Sequence, residues 1–226
     1  MTRKEVQRIL NKKIVQLNDI IADIDHLLTE METDFYRVCI FGSARIKPNS
    51  KHFKKVYQLA FELSRRGADI VTGGGPGLMQ AANKGAKEGS KKSRSIGIAI
   101  DLPFESIPNS HLDVKRQHRR FSSRLDEFMR ISHAVIVTPG GIGTILELFY
   151  TWQLIQVEHI KKRPIILLGG EGMWVEFLDW MSKWPVKMNL ISKGDLKYLS
   201  LCKTVDSAIE RLEPEIKRFY RTGKQR

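Results

Sequence analysis

Seven apolar side chains near the start of the chain, Leu10, Ile14, Leu17, Ile21, Ile24, Leu28 and Met31, recur at alternating steps of four and three residues. Such spacing draws a narrow heptad seam rather than the broad stripe of a helix lying on a globular core. It predicts one long helix within 1–34 whose seam packs along another helix, either the same segment of a second subunit or the body of its own chain.

From Phe35 the pattern changes. Short apolar runs rich in branched residues, at 36–41, 68–72, 95–100, 134–138 and 164–168, show no clean alternation, as expected of parallel strands buried on both faces. Helical periodicity falls between them at 50–65, 78–88, 115–130 and 144–157, so a doubly wound α/β sheet follows. The remainder predicts an aromatic-rich helix around Trp174, Phe177, Trp180 and Met181, a weak strand near 200–202 and a final helix from about Asp206. The boundaries drawn from this pattern are 1–34 for the added helix, 35–221 for the α/β body and 222–226 for a polar, basic tail expected to fray.

Three strand-to-helix junctions carry chemistry. The run Pro-Gly-Gly-Ile-Gly-Thr-Ile-Leu-Glu at 139–147 follows an apolar strand candidate. Its Gly140, Gly141 and Gly143 allow positive φ and a close backbone approach, so that N–H groups at the next helix, with Thr144 at its start, can converge on an anion. Glu147 falls one helical turn past Gly143. A phosphate repels it, so its target is another part of the ligand, such as ribose hydroxyls or a developing cation. A second junction, Val-Thr-Gly-Gly-Gly-Pro-Gly-Leu-Met at 71–79, offers Gly74, Gly75 and Gly77, and a third, Phe41-Gly42-Ser43-Ala44-Arg45, adds a hydroxyl and a guanidinium. Taken one at a time, each is equally a tight turn with a solvated first-turn residue. Together they point to a phosphorylated ligand in the crevice at the carboxyl ends of the strands. Thr144 taken alone is an N-cap.

Composition narrows the field. At 226 residues and 42% apolar content, one α/β domain with a real core is the expectation. No apolar stretch reaches membrane-spanning length and the start, Met-Thr-Arg-Lys-Glu, lacks a signal-peptide core, so a cytoplasmic protein without membrane contact is expected. Cys39 and Cys202 lie in strand candidates as small buried hydrophobes, and the six histidines show no ligand spacing, so no metal is assigned. The formal charge of +13 is unevenly placed: 1–34 carries five Lys/Arg against seven Asp/Glu, whereas 35–140 carries nineteen against eight. That field suits an anionic substrate and would also attract nucleic acid. The densest cluster, at 115–120, has no interleaved aromatics, reads as a solvated helix start, and makes nucleic acid the weakest of the partner readings.

The paired motifs resemble the LOG family of nucleotide phosphoribohydrolases, also described as possible lysine decarboxylases, over roughly 37–169. The family's Pro-Gly-Gly-x-Gly-Thr-x-x-Glu motif is complete at 139–147, and its Gly-Gly-Gly-x-x-Gly-Leu-Met turn is similar to Gly-Gly-Gly-Pro-Gly-Leu-Met at 73–79, which is one residue shorter. The family's active-site arginine, fifteen residues ahead of the motif's proline, falls on Arg124. The usual Arg-Lys pair is broken here by Leu125, and Ser122 and Ser123 replace larger neighbours, which removes a secondary phosphate contact.

The resemblance implies a Rossmann-like fold, catalysis by Arg124 and Glu147, and substrate contacts at Ser43, Gly74, Gly75, Gly77, Gly140, Gly141, Gly143 and Thr144. It adds Glu105, since relatives place a substrate-contacting Glu in the segment corresponding to 101–114; Asn109 is the other polar group there suited to a base or ribose. The implied reaction is hydrolysis of a nucleoside or cytokinin riboside 5′-monophosphate to free base and ribose 5-phosphate, without a cofactor. Adenine, prenylated adenine, guanine and pyrimidines stay open as the base. It further implies a homodimer or higher homo-oligomer pairing through helices near the site. Pyridoxal-phosphate decarboxylation needs a Schiff-base lysine, and neither glycine turn contains one, the nearest being Lys84. The competing reading is a non-catalytic carrier or sensor of a phosphorylated nucleotide or molybdenum cofactor, which needs the turns but not the acid.

Overall fold

The computed structural model of the protein describes residues 2–31, 34–101, 108–169 and 172–223. Residues 1–34 and 35–226 form two compact units. The first contains helix α1, Arg3–Met31. On it Leu10, Ile14, Leu17, Ile21 and Ile24 each leave just over half of their surface exposed. Leu28 and Met31 continue the spacing, but their side chains lie outside the described residues.

The second unit is built on a seven-stranded, wholly parallel sheet in the order β4-β3-β2-β1-β5-β6-β7. Its strands are β1 Arg37–Phe41, β2 Asp69–Thr72, β3 Ser95–Ile100, β4 Val114–His118, β5 Ala134–Val137, β6 Ile165–Leu168 and β7 Leu199–Cys202. The helices are α2 Lys51–Arg65, α3 Leu78–Gly89, α4 Phe121–Ile131, α5 Ile142–Gln156, α6 Met173–Met181 and α7 Val205–Gly223. The expected doubly wound α/β fold is thus present. Five of the strands lack alternation because both sheet faces are covered. Along β1, Val38 and Ile40 join the core formed with α2, α3 and α7, while Cys39 and Phe41 join the core formed with α4, α5 and α6.

Strand order reverses at β1. The chain steps outward through β2, β3 and β4, then returns to the other side of β1 for β5, whose residues Ala134 to Val137 pair with Val38 to Phe41. Helices diverge from such a switch point, opening a crevice at the carboxyl ends of β1 and β5.

One expected element is corrected. The helix read over 115–130 is two elements: Lys115, Arg116, Gln117 and His118 lie in β4, and the helix begins only at Phe121. β4 is the sheet's edge and its burial alternates between partly buried and exposed positions. Its charged side chains mask the strand from apolar pattern reading and also blunt an edge that would otherwise recruit a further strand. At the other end of the body, α7 continues to Gly223, and 224–226 lie outside the described residues.

Candidate active site

The three glycine-bearing turns meet at the switch point through the backbone of Ser43. Its N–H donates to the carbonyl of Pro139 at 3.1 Å, and its own carbonyl accepts from the N–H of Leu78 at 2.9 Å. The turn after β1 is thereby tied to those after β5 and β2. The Thr138 hydroxyl closes the same corner by donating to the carbonyl of Phe41 at 2.8 Å. Gly42 is needed there because a Cβ would stand 2.2 Å from Thr138 Oγ1.

The two glycine-rich turns use glycine for different reasons. In the turn after β2, Gly74 and Gly77 have φ of +74° and +68°, where side chains are strained, and a Cβ on Gly77 would also meet the carbonyl oxygen of Ser43 at 2.4 Å. In the turn after β5, none of Gly140, Gly141 and Gly143 has positive φ, contrary to the sequence expectation. Gly140 is required by close packing, since its Cβ would sit 2.1 Å from Thr144 Oγ1, whereas a Cβ on Gly141 or Gly143 meets nothing within 4 Å. Those two positions keep the backbone bare toward the crevice.

Helix α5 begins at Ile142 with Gly141 as its N-cap, so Thr144 lies inside the first turn and is not the cap. The N–H groups of that first turn have no intrahelical acceptor, and the helix dipole adds positive potential. One turn on, Glu147 projects from the same helix and is buried, with 9% of its surface exposed.

Arg124, on α4, is held from three sides. Its Nε donates to the carbonyl of Ile98 at 2.8 Å, Nη1 lies 3.4 Å from Glu147 Oε1, and its guanidinium carbon stands 5.0 Å from the centre of the Phe128 ring. Its Nη2 is so close to Gly73 that a Cβ there would come within 2.4 Å. The neighbouring acids are engaged elsewhere: Glu127 binds Arg116, His118 and Arg130, and Asp126 accepts from Tyr150 Oη. Burial pushes the Glu147 carboxyl up to about 7, with Arg124 pulling the other way. The ion pair therefore fails to offset desolvation, and the carboxyl is poised to change protonation near neutrality.

Ser43, Arg124, Gly141, Gly143, Thr144 and Glu147 surround one cavity of about 520 Å³. Gly140 is packed behind Thr144; Gly75 lies against Met79, Gly77 against Ser43 and Ala44, and Gly74 against Gly97 and Leu112, and none of the four lines the cavity itself. Glu105 lies outside the described residues. Asn109 is corrected: its amide nitrogen donates to the carbonyls of Gly74 and Gly75, both at 3.0 Å, and to Asn83 Oδ1 at 2.9 Å, while its oxygen accepts from the N–H of His111. It braces the turn and has no amide hydrogen to spare for a base. Asn83 extends this network to Thr72 and Ser95.

Sequence reading missed the cavity's apolar side. Phe121, Met79, Ile100 and Ile142 line it, with Phe121 half exposed and Ile142 90% exposed. Leu146 and Phe149 extend the exposed stripe from Ile142 along α5. Phe121 had no readable signal beyond being an aromatic residue after a basic run. Lys84, by contrast, pairs loosely with Glu88 at 3.9 Å on α3 and lines no part of the cavity.

Comparisons with known proteins place the chain among relatives of the same family and fold. The family model described as possible lysine decarboxylase matches residues 79–212. A probable cytokinin riboside 5′-monophosphate phosphoribohydrolase of Oryza sativa subsp. japonica is 31% identical over 184 residues, covering 79% of this chain and 72% of that protein. The pyrimidine/purine nucleotide 5′-monophosphate nucleosidase of Escherichia coli (strain K12) is 33% identical over 129 residues, 54% of this chain but only 28% of that enzyme's length. Among solved structures, the molybdenum cofactor binding protein of Rippkaea orientalis shares the fold, with a TM-score of 0.57 at 21% identity over 80% of this chain and 96% of that one.

Proposed function

We propose, for a chain that belongs to the possible lysine decarboxylase family (the LOG family), that the cavity at the β1/β5 crevice hydrolyses the N-glycosidic bond of a nucleoside 5′-monophosphate. The products are the free base and ribose 5-phosphate. What carries this reading is a buried carboxyl, Glu147, set one helical turn behind the bare first turn of α5 and 3.4 Å from Arg124. A site that only held a phosphate would gain nothing from a desolvated acid so near the anion.

In this reading the 5′-phosphate takes the N–H groups and Thr144 hydroxyl at the start of α5, with Ser43 and Arg45 across the cavity. The ribose C1′ then lies toward Glu147. As the C1′–N bond breaks, its electron pair leaves with the base, which takes up a proton to become the free base, and positive charge builds on the ribose. Ionised Glu147 stabilises that charge and accepts a proton from the water whose oxygen bonds to C1′. Arg124 holds the phosphate or ribose with a planar fork and favours the ionised form of Glu147. Phe121 and Ile142 offer the flat base an apolar wall. No step asks for a metal or an organic cofactor.

The test is a panel of purine, prenylated purine and pyrimidine 5′-monophosphates, assayed for free base and ribose 5-phosphate. Turnover of AMP with none of adenosine supports the reading, because the phosphate supplies most of the binding. Equal turnover of the two overturns it, and tight binding of nucleotides with no turnover moves the protein to the carrier class.

A further inference from the structure

At the opposite end of the sheet a second cavity, of about 390 Å³, opens among residues that lead into the strands. Tyr36 precedes β1, His133 precedes β5 and Arg163 precedes β6, while Glu215 and Arg218 come from α7. The lining is strongly basic. Among the described residues, Arg130, Lys161, Lys162, Arg163 and Arg218 surround one carboxylate, Glu215.

Part of this charge has a structural account. Arg163 donates to the carbonyls of Met129, at 2.6 Å, and Ser132, which closes the end of α4. Arg130 reaches Glu127 at 3.3 Å, Arg218 pairs with Glu215, and Lys162 lies 3.9 Å from Glu158. Among the described residues that line the pocket, five cations face the single carboxylate of Glu215. Burial already pulls the Arg163 guanidinium below its ordinary pKa, a cost that a bound anion would relieve.

The wall adds an independent sign. Tyr36 is 3% exposed, and its hydroxyl oxygen is buried with no hydrogen-bond partner among the described residues. A buried phenol usually has one. The charges that act on it are those of Glu215, Arg218 and Arg163, all on this cavity, and burial with Glu215 keeps it protonated and able to donate. His133 stacks on the Tyr36 ring at 5.1 Å. Its Nδ1 accepts from the N–H of Arg37 at 3.0 Å, and burial with the charges of Arg37 and Arg163 lowers its pKa to about 4. At neutral pH the ring is therefore uncharged, with its proton on Nε2, a second neutral donor.

We propose that this amino-end cavity is a second ligand site, separate from the crevice at β1/β5, and that it takes a small molecule bearing a diphosphate group. Guanidinium forks and ammonium groups match phosphate oxygens, and the excess of cations over Glu215 calls for a ligand with several negative charges. The orphaned Tyr36 hydroxyl supplies a donor that such a ligand would satisfy. The cavity, at about 390 Å³, exceeds what one inorganic phosphate fills.

The experiment is isothermal titration of the full chain with inorganic pyrophosphate at low salt. Lys161 and Arg218 are exposed, so Lys161→Glu combined with Arg218→Glu should leave the fold intact and weaken binding by at least about tenfold. Tyr36→Phe should weaken it several-fold while leaving the melting temperature unchanged or higher, since it deletes an unpaired buried hydroxyl. Arg124→Ala, which damages the crevice, should leave this binding in place. Pyrophosphate binding that survives the double charge reversal, or that vanishes in Arg124→Ala, overturns the proposal, as does no binding at all up to millimolar pyrophosphate. None of these outcomes depends on whether the crevice hydrolyses nucleotides.

Discussion

Arg124 Nη1 and Glu147 Oε1 stand 3.4 Å apart with both side chains close to nine-tenths buried, yet the carboxyl pKa is raised to about 7. The distance explains the balance. A contact this long is at the outer edge of a hydrogen bond, and Arg124 spends its better donor, Nε, on the carbonyl of Ile98 at 2.8 Å. Desolvation of the acid therefore wins over its partner's charge, which leaves a group able to exchange a proton at physiological pH.

Glu147→Gln should abolish most turnover while preserving nucleotide binding. The change keeps shape and deletes the charge opposite the oxocarbenium ion, a loss on the order of 10²- to 10³-fold in rate. Steady-state kinetics beside calorimetric binding of the same nucleotide checks both halves. A variant with near wild-type rate would falsify the assignment of Glu147.

The raised carboxyl pKa gives two pH signatures. In kcat/KM, activity should rise with pH through an apparent pKa near 7, the ionised form being the active one, and Glu147→Gln should lose that limb. In stability the sign is opposite. The folded state holds the proton more tightly than the unfolded state, so the contribution is fully present below the unfolded carboxyl pKa near 4.5 and is lost as pH rises through about 7. Chemical denaturation should accordingly show Glu147→Gln gaining on the wild type between pH 5 and pH 8.

Arg124→Ala should raise KM and lower kcat together, and also move the activity limb to higher pH, because it removes a cation that opposes desolvation of Glu147. Arg124→Lys should rescue little. A single ammonium cannot bond Ile98, face Glu147 and lie against Gly73 at once. A pH profile of the two variants separates this role from a merely structural one.

Gly143→Ala and Gly77→Ala should part company. A Cβ on Gly143 meets no protein atom within 4 Å, so the melting temperature should hold or rise, while nucleotide affinity falls about tenfold because the added methyl stands where the phosphate approaches. Gly77→Ala combines φ +68° with a 2.4 Å approach to Ser43, so it should cost about 1–3 kcal/mol of stability. Thermal denaturation and calorimetry on both variants decide it; unchanged affinity in Gly143→Ala would remove the phosphate from the first turn of α5.

The protein should be at least a dimer at micromolar concentration, with the α1 seam joining subunits. Five large apolar side chains of that seam are each more than half exposed on the helix, an aggregation liability in a monomer. Ile21→Asp should lower the mass seen in light scattering. A wild-type monomer, or a variant with unchanged mass, contradicts this assignment.

Much of the site could be read along the chain because its parts are local. The motif at 139–147 places a bare helix start and an acid one turn apart on a single helix, and such spacing survives whatever surrounds it. Arg124 was reachable only through its registry with that motif, since nothing in its own neighbourhood distinguishes it from a surface arginine paired with Asp126 or Glu127. Asn109 shows the limit. Its residue type suits a base contact, but the bonds that occupy it come from Gly74, Gly75 and Asn83, 26 to 35 residues away.

The sequence by itself determined the heptad seam, the alternation of buried strands and helices, the glycine-bearing turns and the acid one helical turn past them. All of these are periodicities or short motifs, whose physics acts over one or two turns of chain. Only the tertiary structure decided that Lys115 to His118 form an edge strand, that glycine at 74 and 77 is needed for φ while glycine at 140 is needed for space, and that Phe121 and Ile142 wall the cavity. It alone set the protonation of Glu147, because burial is a property of everything packed around a carboxyl and no stretch of sequence records it.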